Sequence, residues 1–208
     1  MTEAQMFLFF ITSLFVIITP GQDMFLVMSR SIAQGRKAGI ATAAGVSTGL
    51  LGHTVLAVLG LGALLKTSEI LFTAVKLIGA AYLLWLGFRL ISAKREIPEF
   101  CETENSSLSK LFFQGVFSNI SNPKIAIFYF SFLPQFIAPD NSSPTYCLLI
   151  LGIIFAVLTF FIKAPIGYAA GSLAHKLRSC PSIQLWINRF SGIVLISLGV
   201  KLALEKKT

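Results

Sequence analysis

The stretch ITPGQDMFL, residues 17–25, decides which kind of fold this sequence can adopt. It lies in a segment that is otherwise apolar or small, and it places a proline, a glycine, an amide and a carboxylate in consecutive positions. Pro20 has no N–H to donate and disfavours helix in the residue before it, and Gly21 allows another group to approach the backbone closely. The pair predicts a helix broken into two halves, with the second half starting near Pro20.

The composition places this broken helix in a membrane protein. The chain has 208 residues, of which 55% are hydrophobic and 12% charged, and its mean hydropathy is +0.78, whereas a soluble domain carries about 25% charged residues. Long apolar blocks with few charges are typical of transmembrane helices. We expect an all-α integral membrane protein with about six transmembrane helices, at about 4–29, 38–65, 69–92, 111–138, 145–174 and 183–204. Because the last block is interrupted by charges, five spans with one re-entrant segment is the alternative.

The basic residues are distributed unevenly between the predicted loops. Most of those that flank the spans follow the first, third and fifth spans, and the positive-inside rule places these loops in the cytoplasm. Both termini are then expected outside the cytoplasm. The first span lacks the basic start and the cleavage pattern of a signal peptide, so we expect it to stay in the mature chain. Since the net charge of +8 is spread over span ends, we expect no nucleic-acid partner.

The polar stretch 93–110 divides the sequence into two halves. Each half is predicted to hold three spans, as repeats of about 1–93 and 111–208, with a cytoplasmic loop of about 94–110 between them, in a single transport domain, 1–208. Spans 3 and 6 both carry the pattern Leu-Gly-x-Arg/Lys-Leu, and spans 1 and 4 both carry a proline beside polar residues. Because three is an odd number, the second half enters the membrane in the opposite sense, as in the inverted repeats of secondary transporters.

A second break is predicted at SNISNPKIA, residues 118–126. Asn122 is expected to cap a half-helix that starts at Pro123, with Asn119 just before it and Lys124 just after. In inverted halves the N-termini of the two later half-helices meet near the membrane midplane, where their partial positive charges suit a carboxylate. The free carbonyls that end the two earlier half-helices suit an ammonium group.

The candidate substrate-binding residues surround these two breaks: Pro20, Gly21, Gln22, Asp23, Asn119, Asn122, Pro123 and Lys124. A charged side chain at the bilayer centre costs about 2.5–3.5 kcal/mol on insertion scales, which favours a transport role over a structural kink with an internal ion pair. Burial also favours the neutral form of a carboxylate, so Asp23 is a candidate proton carrier.

Two further residues are secondary candidates for the site. His53 is expected to be a packed, hydrogen-bonded histidine more than a ligand. Lys163 lies deep in the fifth span, where it either extends toward the cytoplasmic face or neutralises Asp23.

Together these elements resemble the lysine-exporter (LysE-type) translocators, in the branch of homoserine and threonine exporters. The resemblance covers nearly the whole chain and is strongest in TPGQDMFLVMSRSIAQGRKAGIATAAGVSTG, LIGAAYLLWLGFRLI and FFQGVFSNISNPKIAIFYFSFLPQF. It implies efflux of amino acids or related small zwitterionic metabolites across the bacterial cytoplasmic (inner) membrane, with the lipid bilayer as surroundings and a proton as the candidate coupling ion. The chain departs from the family pattern at Gln22, where the family has a second proline.

Other functional classes find less support in the residues. No nucleophile and base with suitable spacing and no phosphate-binding loop occurs, and the cysteines lack metal or redox spacing, so we expect a transporter with no cofactor and no metal rather than an enzyme. A passive solute channel and an exporter of a metal ion or another small solute stay open as alternatives. The small residues of span 2, among them Gly45 and Gly49, are expected to pack closely against a neighbouring helix, and the same face permits a homodimer.

The inside–outside assignment predicts a labelling pattern. After replacement of the native cysteines, Thr103→Cys should be shielded from an impermeant thiol reagent in intact cells, because the central loop is cytoplasmic. Asn141→Cys should be labelled, because it lies on the opposite side. The reverse pattern would overturn the predicted orientation.

Overall fold

The computed structural model describes residues 3–67, 69–93, 106–137, 143–170 and 181–204, and this part of the chain contains helices and no strands. The all-helical fold class is therefore confirmed. The helices are α1 (Glu3–Ile18), α2 (Gln22–Gln34), α3 (Arg36–Thr67), α4 (Glu69–Ile91), α5 (Leu108–Ile120), α6 (Pro123–Ile127), α7 (Pro144–Tyr168) and α8 (Pro181–Leu204). A π-helical turn, Phe128–Phe132, and a 3-10 turn, Leu133–Phe136, continue α6. Most of the predicted central loop lies outside the described residues.

Three segments in these helices are long and apolar enough to cross a membrane: Arg36–Gly60, Pro144–Tyr168 and Leu185–Leu204. The segments Gln5–Ile18 and Gln22–Gln34, bent by 53° at the first break, make a fourth if they form one broken span. The protein is thus a helical membrane protein. Six spans, with five as the alternative, stay a prediction. Six spans require that α4 crosses the membrane and that the broken segment beginning with α5 crosses it as well.

The first break lies where the sequence predicts it, but α2 starts later than expected. α1 ends at Ile18, and Gly21, with an extended φ of −172°, is the N-cap of a helix that begins at Gln22. Pro20 therefore lies between the two helices and is not a first-turn residue, since the extended backbone of Gly21 separates it from the helical turn. The N–H of Met24 is the first in α2 to bond back to the Gly21 carbonyl, at 3.0 Å.

The second break follows the prediction closely. The Asn122 side chain accepts a 3.1 Å hydrogen bond from the backbone N–H of Lys124, and Pro123 is the first residue of α6. The sequence did not predict the π turn that follows, which widens the helix at Phe128–Phe132. Turns of this type occur often at functional sites.

α4 and α8 pack against each other through positions that correspond in the two helices. A Cβ built on Gly87 would lie 2.7 Å from the Gly192 carbonyl oxygen, and one built on Gly199 would lie 3.1 Å from the Ala80 carbonyl oxygen. Positions 80 and 192, like 87 and 199, correspond when the two Leu-Gly-x-Arg/Lys-Leu patterns are aligned. Corresponding positions that exchange contacts in this way are what a local two-fold axis between two helices produces, and the inverted repeats of three spans each stay a prediction.

α3 packs against α7 on one side and α5 on another. Thr54 contacts Gly152 and Gly39 contacts Gly167, so the residue numbers rise along α3 as they fall along α7. These helices are antiparallel. Opposite directions for the second and fifth spans are what a chain that crosses the membrane alternately requires.

α3 and α5 are parallel and pack backbone to backbone. Gly45 lies against the backbone of Phe112, and a Cβ built on Gly49 would lie 2.8 Å from the Val116 carbonyl oxygen. The small-residue face of α3 is therefore occupied within the same chain. This face of α3 is therefore not available as the interface of a homodimer, because α5 already packs against it.

The contact between α3 and α5 generates a stability prediction. Gly45→Ala should lower the midpoint of thermal unfolding in detergent, because its Cβ would overlap the Phe112 backbone and overpacking costs about 1–3 kcal/mol. Gly52→Ala is the matched control on the same helix, where the nearest atom, Ile120 Cδ1, is at 3.5 Å. It should be neutral or stabilising, since alanine favours helix over glycine by about 1 kcal/mol. Equal stability of the two variants would contradict the close contact.

Candidate functional site

Asp23 lies at the centre of a buried polar network. It is in the first turn of α2, where a carboxylate is favoured by the helix dipole, and it is only 2% exposed. Its Oδ2 accepts a 2.8 Å hydrogen bond from Asn119 Nδ2, and its Oδ1 accepts one of 3.4 Å from Ser118 Oγ. Asp23 therefore connects the first break to the residues that precede the second.

Lys163 is the cationic partner of Asp23. Its Nζ lies 3.7 Å from Asp23 Oδ2, and the residue is 5% exposed on α7. Of the two roles that the sequence left open for Lys163, the structure shows neutralisation of Asp23. A buried pair of this kind is costly to break from one side, because the remaining charge has no partner.

Lys124 binds the end of α1. Its Nζ donates hydrogen bonds to the carbonyl oxygens of Val16 and Thr19, at 3.1 and 3.2 Å, at the end of α1. The carbonyls that the sequence offers to an ammonium group thus bind the protein's own lysine, and binding of a substrate ammonium group there stays a prediction. An ammonium group has three N–H donors, so one donor remains beyond these two bonds. A Cβ on Gly21 would lie 3.4 Å from Lys124 Nζ, so the glycine leaves room for the lysine.

Gln22 connects the two breaks directly. Its Nε2 lies 3.3 Å from Ser118 Oγ and 3.5 Å from the Ser118 carbonyl oxygen, and donates to both. A proline at position 22 has no side-chain donor and could not make these bonds. The departure from the family pattern thus replaces a second helix breaker with a polar link between α2 and α5.

His53 joins the network through Asn119. The ring is 2% exposed, and its Nε2 lies 3.0 Å from the Asn119 carbonyl oxygen, which can only accept, so Nε2 donates. In the part of the chain that the structure describes, His53 Nδ1 and Asn119 Oδ1 are buried without a hydrogen-bond partner. His53 is therefore a packed, hydrogen-bonded histidine, as the sequence predicts.

Sequence reasoning missed several polar residues of this region. Ser118 could have been found, because it belongs to the SNISNPK motif. Tyr129 and Thr54 had no comparable signal: Thr54 Oγ1 donates to the Tyr129 hydroxyl at 3.2 Å, and that hydroxyl donates to the Gly152 carbonyl at 3.3 Å. The Tyr129 ring lies 5.6 Å from the His53 ring, so the π turn packs against the network.

The structure sorts the predicted residues into three groups. A first group shares one network around the carboxylate: Gln22, Asp23, Asn119, His53 and Lys163. A second group lies where α1 ends: Gly21 and Lys124. The remaining residues form the breaks themselves: Pro20, Asn122 and Pro123.

Two broken helices with buried charges at the breaks, in a helical membrane fold, are typical of a translocator and not of an enzyme. This chain belongs to the LysE type translocator family, whose model matches residues 14–206. The resemblance seen in the sequence is thereby confirmed.

The chain is similar along nearly its whole length to several bacterial proteins. It is 32% identical over 206 residues to the homoserine/homoserine lactone efflux protein of Salmonella typhimurium, covering 98% of each chain. It is 29% identical over 198 residues to the leucine efflux protein of Klebsiella pneumoniae, covering 94% of this chain and 92% of the relative. An uncharacterised membrane protein of Bacillus subtilis is 34% identical over 202 residues, with 91% and 94% covered. No solved structure matches the chain significantly.

The pair of Asp23 and Lys163 generates a prediction about stability. Lys163→Met should destabilise the protein by about 3–5 kcal/mol, because it leaves the buried carboxylate unpaired. Asp23→Asn should also destabilise it, and the double variant should recover most of the loss because no unpaired charge remains. Thermal unfolding in detergent measures all four proteins as a double-mutant cycle. Additive effects of the two single changes would show that the two side chains do not interact.

Proposed function

We propose that this protein is a secondary active exporter of amino acids or related small zwitterionic metabolites across the bacterial cytoplasmic membrane. The observation that carries the proposal is the buried Asp23, paired with Lys163 and hydrogen-bonded to Asn119 at the break between α1 and α2. The family membership supports efflux, and two relatives are named for efflux of homoserine or its lactone and of leucine.

The site offers both charges that a zwitterion needs. The substrate ammonium group competes with Lys163 for the carboxylate of Asp23, and the substrate carboxylate binds the third N–H of Lys124 and the N-terminus of α2. The substrate ammonium group thus breaks the contact between Asp23 and Lys163, whereas the substrate carboxylate binds a donor that the empty protein leaves unused. Binding therefore loosens the link between α2 and α7, which is how a substrate can shift a transporter between its two open states.

The energy source in this proposal is the proton gradient or the membrane potential. Asp23 is the proposed proton carrier, because protonation of its carboxylate removes the charge that holds Lys163. A cycle in which Asp23 alternates between its two forms couples proton movement to the same contacts that the substrate breaks.

The orientation is part of the proposal, with both termini outside the cytoplasm. It is supported by the basic residues that follow the first, third and fifth predicted spans. The helix directions, with α3 parallel to α5 and antiparallel to α7, and α4 antiparallel to α8, are those that alternate crossing of six spans requires, and six crossings bring both termini to the same side. The homodimer remains a prediction.

The alternatives fit the site less well. An exporter of metal ions would need a cluster of ligands, and the described ranges hold no group of three or more His, Cys, Asp or Glu that could bind one. A passive channel stays the second candidate, because broken helices also line pores. The two differ in one respect: a channel cannot accumulate its solute against a gradient.

Transport by reconstituted vesicles tests the proposal with two variants. Wild type should accumulate a neutral amino acid against its gradient when a proton gradient or membrane potential is imposed. Asp23→Asn should lose this accumulation but retain some exchange of substrate across the membrane, because its side chain keeps its size and cannot change charge. Lys124→Ala should lose at least tenfold in both assays, because it lacks the donor for the substrate carboxylate.

Lys110→Gln, a change at an exposed lysine of α5, is the control and should transport as wild type does. Equilibration without accumulation by wild type would favour the channel. Normal accumulation by Asp23→Asn would show that Asp23 carries no proton, and normal transport by Lys124→Ala would reduce the second break to a structural kink.

A further inference from the structure

The buried charges at the two breaks do not cancel. One carboxylate, Asp23, lies there with two ammonium groups, Lys124 and Lys163. With each of these three side chains in its ordinary ionised form, their formal charges sum to one positive unit.

The carboxylate is already fully engaged. Asp23 faces Lys163 and accepts hydrogen bonds from Asn119 and Ser118. Lys124, in contrast, is held by two neutral backbone carbonyls, which carry only partial negative charge. The surplus positive charge is therefore that of Lys124, and it calls for a ligand with a carboxylate.

We propose that this surplus charge, maintained by Lys163, selects amino acids with a neutral or acidic side chain and excludes those with a cationic side chain. The inference rests on the proposed function and names the substrate class of the same site. A zwitterion brings its own pair of charges and leaves the total unchanged. A basic amino acid adds a second positive charge for which the network around Asp23 holds no free anion.

The size of the effect follows from the charges. Two like charges about 8 Å apart at an effective dielectric constant of 20 change an affinity by about 30-fold. Lys163 decides the net charge of the site, because removing its charge leaves Lys124 and Asp23, whose charges sum to zero. It lies on α7 and forms no part of either break.

A charge series tests the inference in reconstituted vesicles. The exchange of a labelled neutral amino acid is measured against two competitors of equal chain length, lysine and norleucine, and the ratio of their inhibition constants is compared. The site carries one positive charge in wild type, none in Lys163→Met, two in Asp23→Asn and one in the double variant. Competition by lysine relative to norleucine should rise by about tenfold or more in Lys163→Met, fall in Asp23→Asn, and return to the wild-type ratio in the double variant.

Two further variants separate charge from structure. Lys163→Arg retains the positive charge and should keep the wild-type ratio, as should Lys110→Gln, which alters an exposed lysine. If Lys163→Met fails to insert because Asp23 is unpaired, Asp23→Asn and the double variant still differ only at position 163 and leave no unpaired carboxylate. Their ratios should then differ by about tenfold or more.

The outcomes distinguish this inference from the proposal on which it rests. Equal ratios in wild type and Lys163→Met, in Asp23→Asn and the double variant, or efficient competition by lysine in wild type, would overturn the charge selection and leave amino-acid export intact. Exchange of no amino acid by wild type would overturn the proposed function itself.

Discussion

The arrangement of the helices depends on the partners that one buried carboxylate, Asp23, requires. Asp23 lies in a segment where water is scarce, and an unpaired charge there would cost several kcal/mol. Its partners come from two other helices, Asn119 from α5 and Lys163 from α7. The position of α2 relative to both is thus fixed by hydrogen bonds and an ion pair, while the remainder of the bundle is held by apolar and backbone packing.

The helix breaks and the close packing of glycines make that pairing geometrically feasible. The first break exposes carbonyls that Lys124 occupies, and the second ends α5 just after Asn119, with Asn122 as the cap of the next helix. Because Gly49 has no side chain, α5 packs so closely on α3 that Asn119 lies directly against the Gly49 backbone. Polar groups that a broken helix would leave without partners are in this way paired with each other across the two halves.

A site built from such contacts is suited to transport because its bonds can be exchanged. Every charged group at the breaks is bound by another part of the same chain, so the proposed zwitterionic substrate would break the contact between Asp23 and Lys163 when it binds. The proposed selectivity depends on the balance among Asp23, Lys124 and Lys163 and is therefore a property of the site as a whole.

The sequence by itself determined the helical membrane class, both breaks, the Asn122 cap, and the buried position of Asp23, because these depend on local features: apolar length, proline, glycine and the cost of charge in lipid. It also indicated the family. Only the tertiary structure decided which groups pair. Lys163 is 140 positions from Asp23, and Lys124 turns to the carbonyls of α1 rather than to that carboxylate. Such choices follow from the rotation and crossing of packed helices, and no local pattern encodes them. The π turn and Tyr129 escaped prediction for the same reason, since both depend on what packs against the helix after the second break.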